Sequence, residues 1–302
     1  MTQFHGVIPP IITPFDEHGA LGEVAFGRLV DWYAEAGCHG LWVCGGTGEG
    51  VSLTADERAA MIDLVAECVA GRLQVIFHVA APTTTDAVAA AKRCHERGLD
   101  AICSVPPFFY GKSQQEVVTY YRRLAEATDR PLFLYNLPEA SGVPLTLSLI
   151  EAIVEHVPTV AGLKQSAGVV DLVGQVRAEW PHLQVLIGRG ETTLAALTLG
   201  AQGVVCASLC LAPQRFVAVY DAFCRGNLAE ALTAQAAATA VKEVYRHFPV
   251  IASTKWINSR QLGIDCGPPR EPLAQIAPDD EPRLVELAHE LGLLARGVVA
   301  AR

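Results

Sequence analysis

The feature that most constrains the fold is a regular alternation of short apolar runs with longer amphipathic stretches. Eight such runs recur within the first 206 residues of the 302-residue chain. Strands that are apolar along their length are typical of parallel sheets buried on both faces, and the intervening stretches are long enough for crossover helices. The predicted strands cover residues 7–12, 40–43, 74–79, 101–105, 132–135, 160–163, 185–187 and 203–206.

Helix starts are marked between these runs. Thr54 with Glu57, and Ser113 with Glu116, each form the spacing of a capping box ahead of an amphipathic stretch. Eight β/α units close most economically into a barrel, so the sequence predicts an α/β fold, a (β/α)8 TIM barrel, over residues 1–226. The alternative is an open doubly wound sheet, which usually has fewer strands and whose dinucleotide fingerprint is absent here.

Beyond residue 226 the pattern is helical only. Residues 227–302 are predicted to form a C-terminal helical extension that packs on the barrel or on a neighbouring subunit. Since no long linker separates them from the barrel, they are not expected to be an independent domain.

Composition excludes several classes of protein. The net charge is −9, and Lys and Arg are not clustered, which argues against a nucleic-acid surface. Nine cysteines are scattered without a Cys-x-x-Cys pair, as expected for thiols in a reducing cytoplasm. The sequence has no basic, apolar leader at its start and no run of eighteen apolar residues. These features predict a cytoplasmic protein that binds neither nucleic acid nor membrane.

Lys164, in the stretch VAGLKQSAG at residues 160–168, is the first candidate catalytic residue. It ends the sixth predicted strand, and catalytic groups of parallel barrels lie at the C-terminal ends of the strands. A buried lysine attacks a ketone as the neutral amine and forms a Schiff base. A structural ion pair at the strand end is the alternative, and position alone does not decide between them.

Two other stretches predict parts of the same site. CGGTGEG at residues 44–50 follows the second strand, and its glycines let backbone N–H groups approach a carboxylate. It is not a P-loop, because no Gly-Lys-Ser/Thr follows. Tyr135 ends the fifth strand, next to the strand of Lys164, where a phenol can act as a proton shuttle or simply pack in the core.

With these residues in view, the chain resembles the dihydrodipicolinate synthase / N-acetylneuraminate lyase family of class I pyruvate aldolases. The likeness runs through GVIPPIITPFD, GLWVCGGTGEGVSLTADER, SVPPFF, LYNLPEASG, GLKQSAG and LGIDCGPPREPL, and so covers nearly the whole chain. The resemblance implies that Lys164 forms the Schiff base, Tyr135 relays protons, and Thr47 is its hydroxyl partner. It also implies that the Gly46 and Thr47 amides hold the pyruvate carboxylate, that no metal is needed, and that the protein is a homotetramer, a dimer of dimers.

Departures from the family pattern bear on the substrate. Ala140 stands where the synthases carry an arginine for the second substrate, which disfavours dihydrodipicolinate synthesis. Phe109 stands where the family donates a second tyrosine across a subunit contact, and Tyr110 is expected to point elsewhere. Gly190 and Ala207 replace polar contacts of the sialic-acid branch, which favours a shorter sugar acid.

Loop residues after the seventh strand are candidates for contacts to that substrate. Gly188, Arg189, Glu191 and Thr192 lie in the stretch GRGETT, and an exposed loop with a helix start is the alternative for them.

The remaining candidates are assigned structural roles. His5, His39 and His78 lack metal-ligand spacing and are expected to make local hydrogen bonds. Lys255, in VIASTKWIN, competes with Lys164 as a nucleophile, but a lysine in the helical tail is expected to extend its charge to the surface.

The predicted function is a lyase that cleaves or forms a 2-keto-3-deoxy sugar acid, or a related hydroxylated 2-oxo acid, giving pyruvate and an aldehyde. The covalent Schiff base makes a cofactor unnecessary, and the expected partners are the small oxo acid and the aldehyde. A dehydratase using the same Schiff base, a dihydrodipicolinate synthase and a non-catalytic oxo-acid-binding protein remain as alternatives, in that order.

Overall fold

A computed structural model describes residues 3–295, which form a (β/α)8 TIM barrel with additional C-terminal helices. All paired strands are parallel, and the sheet order is β1-β8-β7-β6-β5-β4-β3-β2. The strands are β1 Gly6–Val7, β2 Gly40–Val43, β3 Gln74–His78, β4 Ala101–Ser104, β5 Leu132–Asn136, β6 Val160–Gln165, β7 Gln184–Ile187 and β8 Gly203–Val204.

The barrel closes between β1 and β2 through two backbone hydrogen bonds. The N–H of His39 donates to the carbonyl of Val7 at 2.9 Å, and the N–H of Trp42 donates to that of Pro9 at 2.9 Å. The strand predicted at residues 7–12 is shortened to Gly6–Val7, because Pro9 and Pro10 have no N–H groups to extend the ladder of hydrogen bonds. All eight predicted strands exist; the largest difference is the shortened end of β1, while β8 ends two residues earlier and β6 two residues later than predicted.

Thirteen α-helices surround and extend the barrel within the described residues. Both predicted capping boxes are confirmed, at the starts of the second and fourth helices. The helices are α1 Glu23–Glu35, α2 Ala55–Val69, α3 Thr84–Glu96, α4 Gln114–Ala125, α5 Pro138–Ser141, α6 Leu147–His156, α7 Asp171–Glu179, α8 Thr193–Thr198, α9 Pro213–Cys224, α10 Leu228–Ala240, α11 Glu243–His247, α12 Val250–Leu262 and α13 Glu281–Glu290.

The C-terminal helices pack against the barrel rather than standing apart from it. Helix α10 lies along α9. A separate apolar cluster joins Leu211 and Ala212, which follow β8, to Val244, Ile257 and Leu284 of the tail helices. The exact boundary of the extension at residue 226 stays a prediction. None of the helices between residues 3 and 295 has the length and hydropathy needed to cross a bilayer.

Candidate active site

Lys164 lies inside the C-terminal mouth of the barrel, one residue before the end of β6. Its exposed fraction is 4%, and it pairs across the sheet with Tyr135 of β5. The Nζ atom is 4.2 Å from the centre of the Tyr135 ring and 4.5 Å from that of Trp42. Within residues 3–295 this atom makes no hydrogen bond and no ion pair. The structural ion pair that the sequence left open is therefore not found there.

A register shift between β5 and β6 sets the direction of Lys164. Leu132 and the next residue of β5, Phe133, pair with residues of β6 that are two positions apart, so one residue of β6 has no partner. Phe133 therefore pairs with Gly162, and Tyr135 pairs with Lys164. Such a bulge changes which face the following side chains occupy. Gly162 is required at this point, since a Cβ there would lie 2.5 Å from the Phe133 ring. Lys164, two residues on, consequently shares the inward face with Phe133 and Tyr135.

Trp42 is a site residue that the motifs do not reveal. Its fully buried indole meets the Tyr135 ring edge to face, with centroids 5.4 Å apart and planes at 80°. The only signal in the sequence is its place near the end of a predicted strand, where ordinary core packing serves equally well. The two rings attract a cation at Nζ of Lys164 through their quadrupoles, without a carboxylate.

His78 is a neutral neighbour of Tyr135. Its Nδ1 atom is 3.0 Å from the Cys44 carbonyl and donates to it, while Nε2 accepts from the N–H of Val105 at 3.4 Å. Burial, followed by the nearby charge of Arg58, lowers the pKa of His78 to about 3. The imidazole thus adds no charge to the site at neutral pH. The prediction of a local hydrogen bond is confirmed.

The other two histidines also make local hydrogen bonds, as predicted. His39 accepts from the backbone N–H of Val7 at 3.2 Å, and Nδ1 of His5 lies 3.2 Å from the Tyr220 hydroxyl. Within residues 3–295, no three His, Cys, Asp or Glu side chains converge as metal ligands would. Independence from metals stays a prediction.

The glycine-rich loop at residues 44–50 folds back tightly on itself. Cys44 and Glu49 have φ values of 56° and 55°, a left-handed conformation that costs a non-glycine residue about 1–3 kcal/mol. A Cβ on Gly50 would come 1.8 Å from the Cys44 carbonyl oxygen. Gly46 is exposed at the tip with open space beside it, and Thr47 is half-buried. The loop therefore presents its tip to the mouth while its base is packed.

The resemblance predicts that the hydroxyls of Thr47 and Tyr135 act as a pair. No hydrogen bond joins the hydroxyls of Thr47 and Tyr135, and neither hydroxyl has another partner within the part of the chain described here. Both groups are thus free to bond to a substrate, and the relay role of Thr47 stays a prediction.

Lys255 is buried, and the prediction that it extends to the surface is wrong. Its Nζ atom is 2.6 Å from Oε1 of Glu49, and the two residues are 1% and 2% exposed. Nζ also donates to the Pro268 carbonyl at 2.9 Å. Burial lowers the pKa of Lys255, although the charge of Glu49 opposes the shift. The apolar sequence around this lysine reflects a buried ion pair rather than an amphipathic helix face.

Arg270 extends this ion pair to the start of α2. Its backbone N–H donates to Oε2 of Glu49 at 2.7 Å, and its guanidinium lies 2.6 Å from Oε2 of Glu57. Burial alone would raise the pKa of Glu57, but hydrogen bonds from Arg270 and Thr54 lower it. Residues of the C-terminal extension thereby hold the left-handed Glu49 in place. The motif of the glycine-rich loop alone does not indicate these contacts.

A small cavity of about 130 Å³ opens at the mouth. Two of the predicted site residues, Gly46 and Tyr135, line it, whereas Lys164 and Thr47 do not. The remaining lining residues come from the ends of β2 to β5 and the segments that follow: Gly45, Val51, His78, Val105, Phe108, Leu137 and Ala140.

The predicted substrate contacts after β7 are engaged with other protein groups. Glu191 pairs with Arg189 at 3.0 Å and also with Lys242 from the C-terminal extension. Burial would raise the pKa of Glu191, but the Lys242 hydrogen bond and both cations lower it. The N–H of Gly188 donates to the Gln165 carbonyl at 2.7 Å. Gly188, Arg189 and Glu191 do not line the 130 Å³ cavity, and their substrate role stays a prediction.

The structure also places three positions where the chain departs from the family pattern, and Tyr110, which follows the first of them. Phe109 and Tyr110 are 88% and 69% exposed, and neither lines the cavity. Gly190 is buried, and a Cβ there would lie 2.8 Å from Sγ of Cys206. The Ala207 carbonyl accepts a hydrogen bond from a tyrosine of α11. No polar side chain from these four positions reaches the cavity.

Comparison with known proteins agrees with the barrel and its sequence motifs. The model of the dihydrodipicolinate synthetase family matches residues 3–291. An uncharacterized DapA-like lyase of Halobacterium salinarum is 33% identical over 290 residues, 96% of this chain and 95% of the relative. The N-acetylneuraminate lyase of Rhizobium meliloti is 32% identical over 279 residues, 92% of each protein.

A solved structure shows the same fold. The sialic acid aldolase of Ruminococcus gnavus, solved as a catalytic-lysine mutant, superposes with a TM-score of 0.90 over 96% of each chain at 24% identity. The family match spans almost the entire chain, and the named relatives are lyases. The chain therefore belongs to the dihydrodipicolinate synthetase family and is a lyase.

Proposed function

We propose that this lyase is a class I pyruvate aldolase that acts through a Schiff base on Lys164. The observation that carries the proposal is a buried amine beside the phenol of Tyr135, with no carboxylate partner among residues 3–295. A buried cation is normally paired, so an unpaired one at the C-terminal end of a barrel strand favours a chemical role.

The reaction follows from these two side chains. In the cleavage direction, the neutral amine of Lys164 attacks the C2 ketone of a 4-hydroxy-2-oxo acid, and loss of water gives an iminium ion. Tyr135 accepts the proton of the C4 hydroxyl while its own proton passes through Thr47 to solvent, and a proton returns by the same path to C3 of the enamine. The electrons of the C3–C4 bond move into the iminium, so an aldehyde leaves and the pyruvate enamine remains. Protonation at C3 and hydrolysis release pyruvate and restore the amine.

The surroundings support the charged steps of this cycle. The faces of Trp42 and Tyr135 stabilise a positive charge at Nζ whether it belongs to the ammonium or the iminium. The exposed tip of the glycine-rich loop supports binding of the substrate carboxylate by the N–H groups of Gly46 and Thr47. The covalent lysine takes the place of a cofactor.

The substrate class that we propose is a 2-keto-3-deoxy sugar acid or a related hydroxylated 2-oxo acid. Ala140 offers no guanidinium for the carboxylate of a second substrate, which disfavours dihydrodipicolinate synthesis. Gly188, Arg189 and Glu191 are proposed to border the distal part of the substrate.

A second candidate, loss of water from a keto-deoxy sugar acid with its carbon skeleton intact, is favoured by one observation. Phe109 is exposed and has no hydroxyl at the position where the family carries its second tyrosine. A shortened proton relay of this kind suits a reaction in which no C–C bond breaks.

We further propose that the protein works in the cytoplasm as a homotetramer. Its nine cysteines are all free, and seven are buried, which suits a reducing compartment. Light scattering coupled to size-exclusion chromatography measures the assembly directly; a monomer at micromolar concentration would contradict it.

Product analysis tests the aldolase proposal. The purified protein is incubated with a panel of 4-hydroxy-2-oxo acids, and pyruvate is followed by a coupled reduction to lactate. Release of pyruvate with an equimolar aldehyde supports the aldolase, whereas a dehydrated product of unchanged carbon number supports the dehydratase. Saturable binding of pyruvate without turnover of any substrate would instead indicate a non-catalytic binding protein.

A further inference from the structure

The cavity at the barrel mouth has an apolar wall that Schiff-base chemistry does not require. Tyr135 forms part of this wall, and Nζ of Lys164 lies 4.2 Å from the centre of its ring. The cavity is therefore one side chain away from the reacting amine. This proximity makes the cavity a candidate site for the substituent on the C4 carbon of a substrate bound to that amine.

The wall carries no charged side chain. His78 is its only imidazole, and both ring nitrogens are used by the Cys44 carbonyl and a backbone N–H. The Tyr135 hydroxyl is the one hydrogen-bonding side-chain group of this wall that has no partner within residues 3–295. The other side chains of the wall are aliphatic or phenyl groups, namely Val51, Val105, Phe108, Leu137 and Ala140.

Polar groups suited to a sugar tail are not on this wall. Arg189 and Glu191 are paired with each other, and Glu191 also with Lys242. Hydroxyl groups placed in the cavity would lose their hydration and find few partners, an arrangement that disfavours binding. An apolar group gains from the same transfer because it leaves water without losing hydrogen bonds.

The volume limits the size of that apolar group. An apolar cavity of about 150 Å³ holds one benzene molecule, and the cavity here is about 130 Å³ with an opening to solvent. We propose that the aldehyde formed or consumed at Lys164 is an aromatic or branched alkyl aldehyde whose apolar group occupies this cavity. The proposal rests on the aldolase function and narrows the substrate class, within the related hydroxylated 2-oxo acids, to 4-aryl or 4-alkyl 4-hydroxy-2-oxo acids.

Condensation kinetics test this specificity. Pyruvate is combined with benzaldehyde, isobutyraldehyde or glyceraldehyde, and kcat/KM is measured for each aldehyde from the mass-identified product. Because apolar pockets discriminate by about tenfold or more, benzaldehyde is expected to exceed glyceraldehyde by at least that factor. Ala140→Leu fills the cavity and is expected to lower the ratio of benzaldehyde to glyceraldehyde about tenfold.

A matched substitution separates cavity filling from a general effect of the mutation. Ala236→Leu makes the same change on the exposed surface of α10 and is expected to leave the ratio unchanged. An unchanged ratio in Ala140→Leu, or a higher kcat/KM for glyceraldehyde in the parent protein, overturns the apolar-substrate proposal. Borohydride trapping with pyruvate alone distinguishes a failure of the specificity proposal from a failure of the aldolase function. If the Lys164 adduct forms while glyceraldehyde is preferred, only the specificity fails; without an adduct the aldolase function fails too.

Discussion

Two buried lysines in this protein have opposite surroundings. Lys164 lies on the faces of Trp42 and Tyr135 at a strand end, whereas Lys255 lies in a tail helix, 2.6 Å from the carboxylate of Glu49. Their exposed fractions are 4% and 1%, so burial does not distinguish them. The partner of each amine distinguishes them. A carboxylate holds Lys255 as a structural ammonium, whereas the aromatic ring faces leave the amine of Lys164 able to form a covalent bond.

Replacement of Lys164 is expected to have the largest effect on activity. Lys164→Ala removes the nucleophile and should lower kcat by more than about 10³-fold, with the fold retained. The coupled pyruvate assay and circular dichroism measure the two quantities. Lys92→Ala, an exposed lysine of α3, is the control and should keep full activity. Comparable turnover in Lys164→Ala would contradict the assignment of the nucleophile.

Lys255 is expected to affect stability most strongly. Lys255→Met leaves the carboxylate of Glu49 buried without its cation, which should lower the free energy of unfolding by about 3–5 kcal/mol. The midpoint of urea unfolding measures this loss, and the double variant with Glu49→Gln should recover part of it. A midpoint equal to that of the parent protein would show that the ion pair is not structural.

A variant of Tyr135 distinguishes the role of its hydroxyl in proton transfer from the role of its ring in packing. Tyr135→Phe keeps the ring beside Trp42 and Lys164 but removes the hydroxyl, so kcat should fall by about 10²-fold or more. The urea midpoint should change little, because that hydroxyl has no hydrogen-bond partner within residues 3–295. Formation of the pyruvate adduct without turnover is the expected signature; full turnover would exclude the phenol from the relay.

The ion pair of Glu57 with Arg270 is expected to contribute least. Its side chains are 25% and 22% exposed, so Glu57→Gln should cost about 1 kcal/mol at neutral pH. The pKa of Glu57 is lowered in the folded protein. Its contribution is therefore complete above the ordinary glutamate pKa of about 4.3 and is lost as the pH falls through the lowered value. Urea midpoints of parent and variant should differ at neutral pH and converge in acid.

Local sequence patterns predict the barrel well. Apolar runs locate all eight strands, and the capping residues Thr54 and Ser113 locate two helix starts. The adjacency of the strands that carry Tyr135 and Lys164 also follows, because consecutive strands of such a barrel are neighbours, whereas their residue-by-residue pairing depends on the register shift. These inferences depend on contacts between residues that are near in sequence or on consecutive units.

Contacts between distant segments are what the sequence does not reveal. The partner of Lys255 lies in a loop near the other end of the chain, so a single lysine in an apolar helix fits both a surface position and a buried pair. The apolar cavity likewise combines the ends of four strands, and none of its residues stands out by itself. Long-range packing decides both features.

Borohydride trapping with pyruvate tests the central claim most directly. The protein is reduced in the presence of pyruvate, and the modified lysine is located by intact mass and peptide mapping. One reduced pyruvate on the Lys164 peptide, absent from Lys164→Ala and with the Lys255 peptide unmodified, is the predicted result. An adduct on Lys255, or none on Lys164 in the folded protein, would contradict the account.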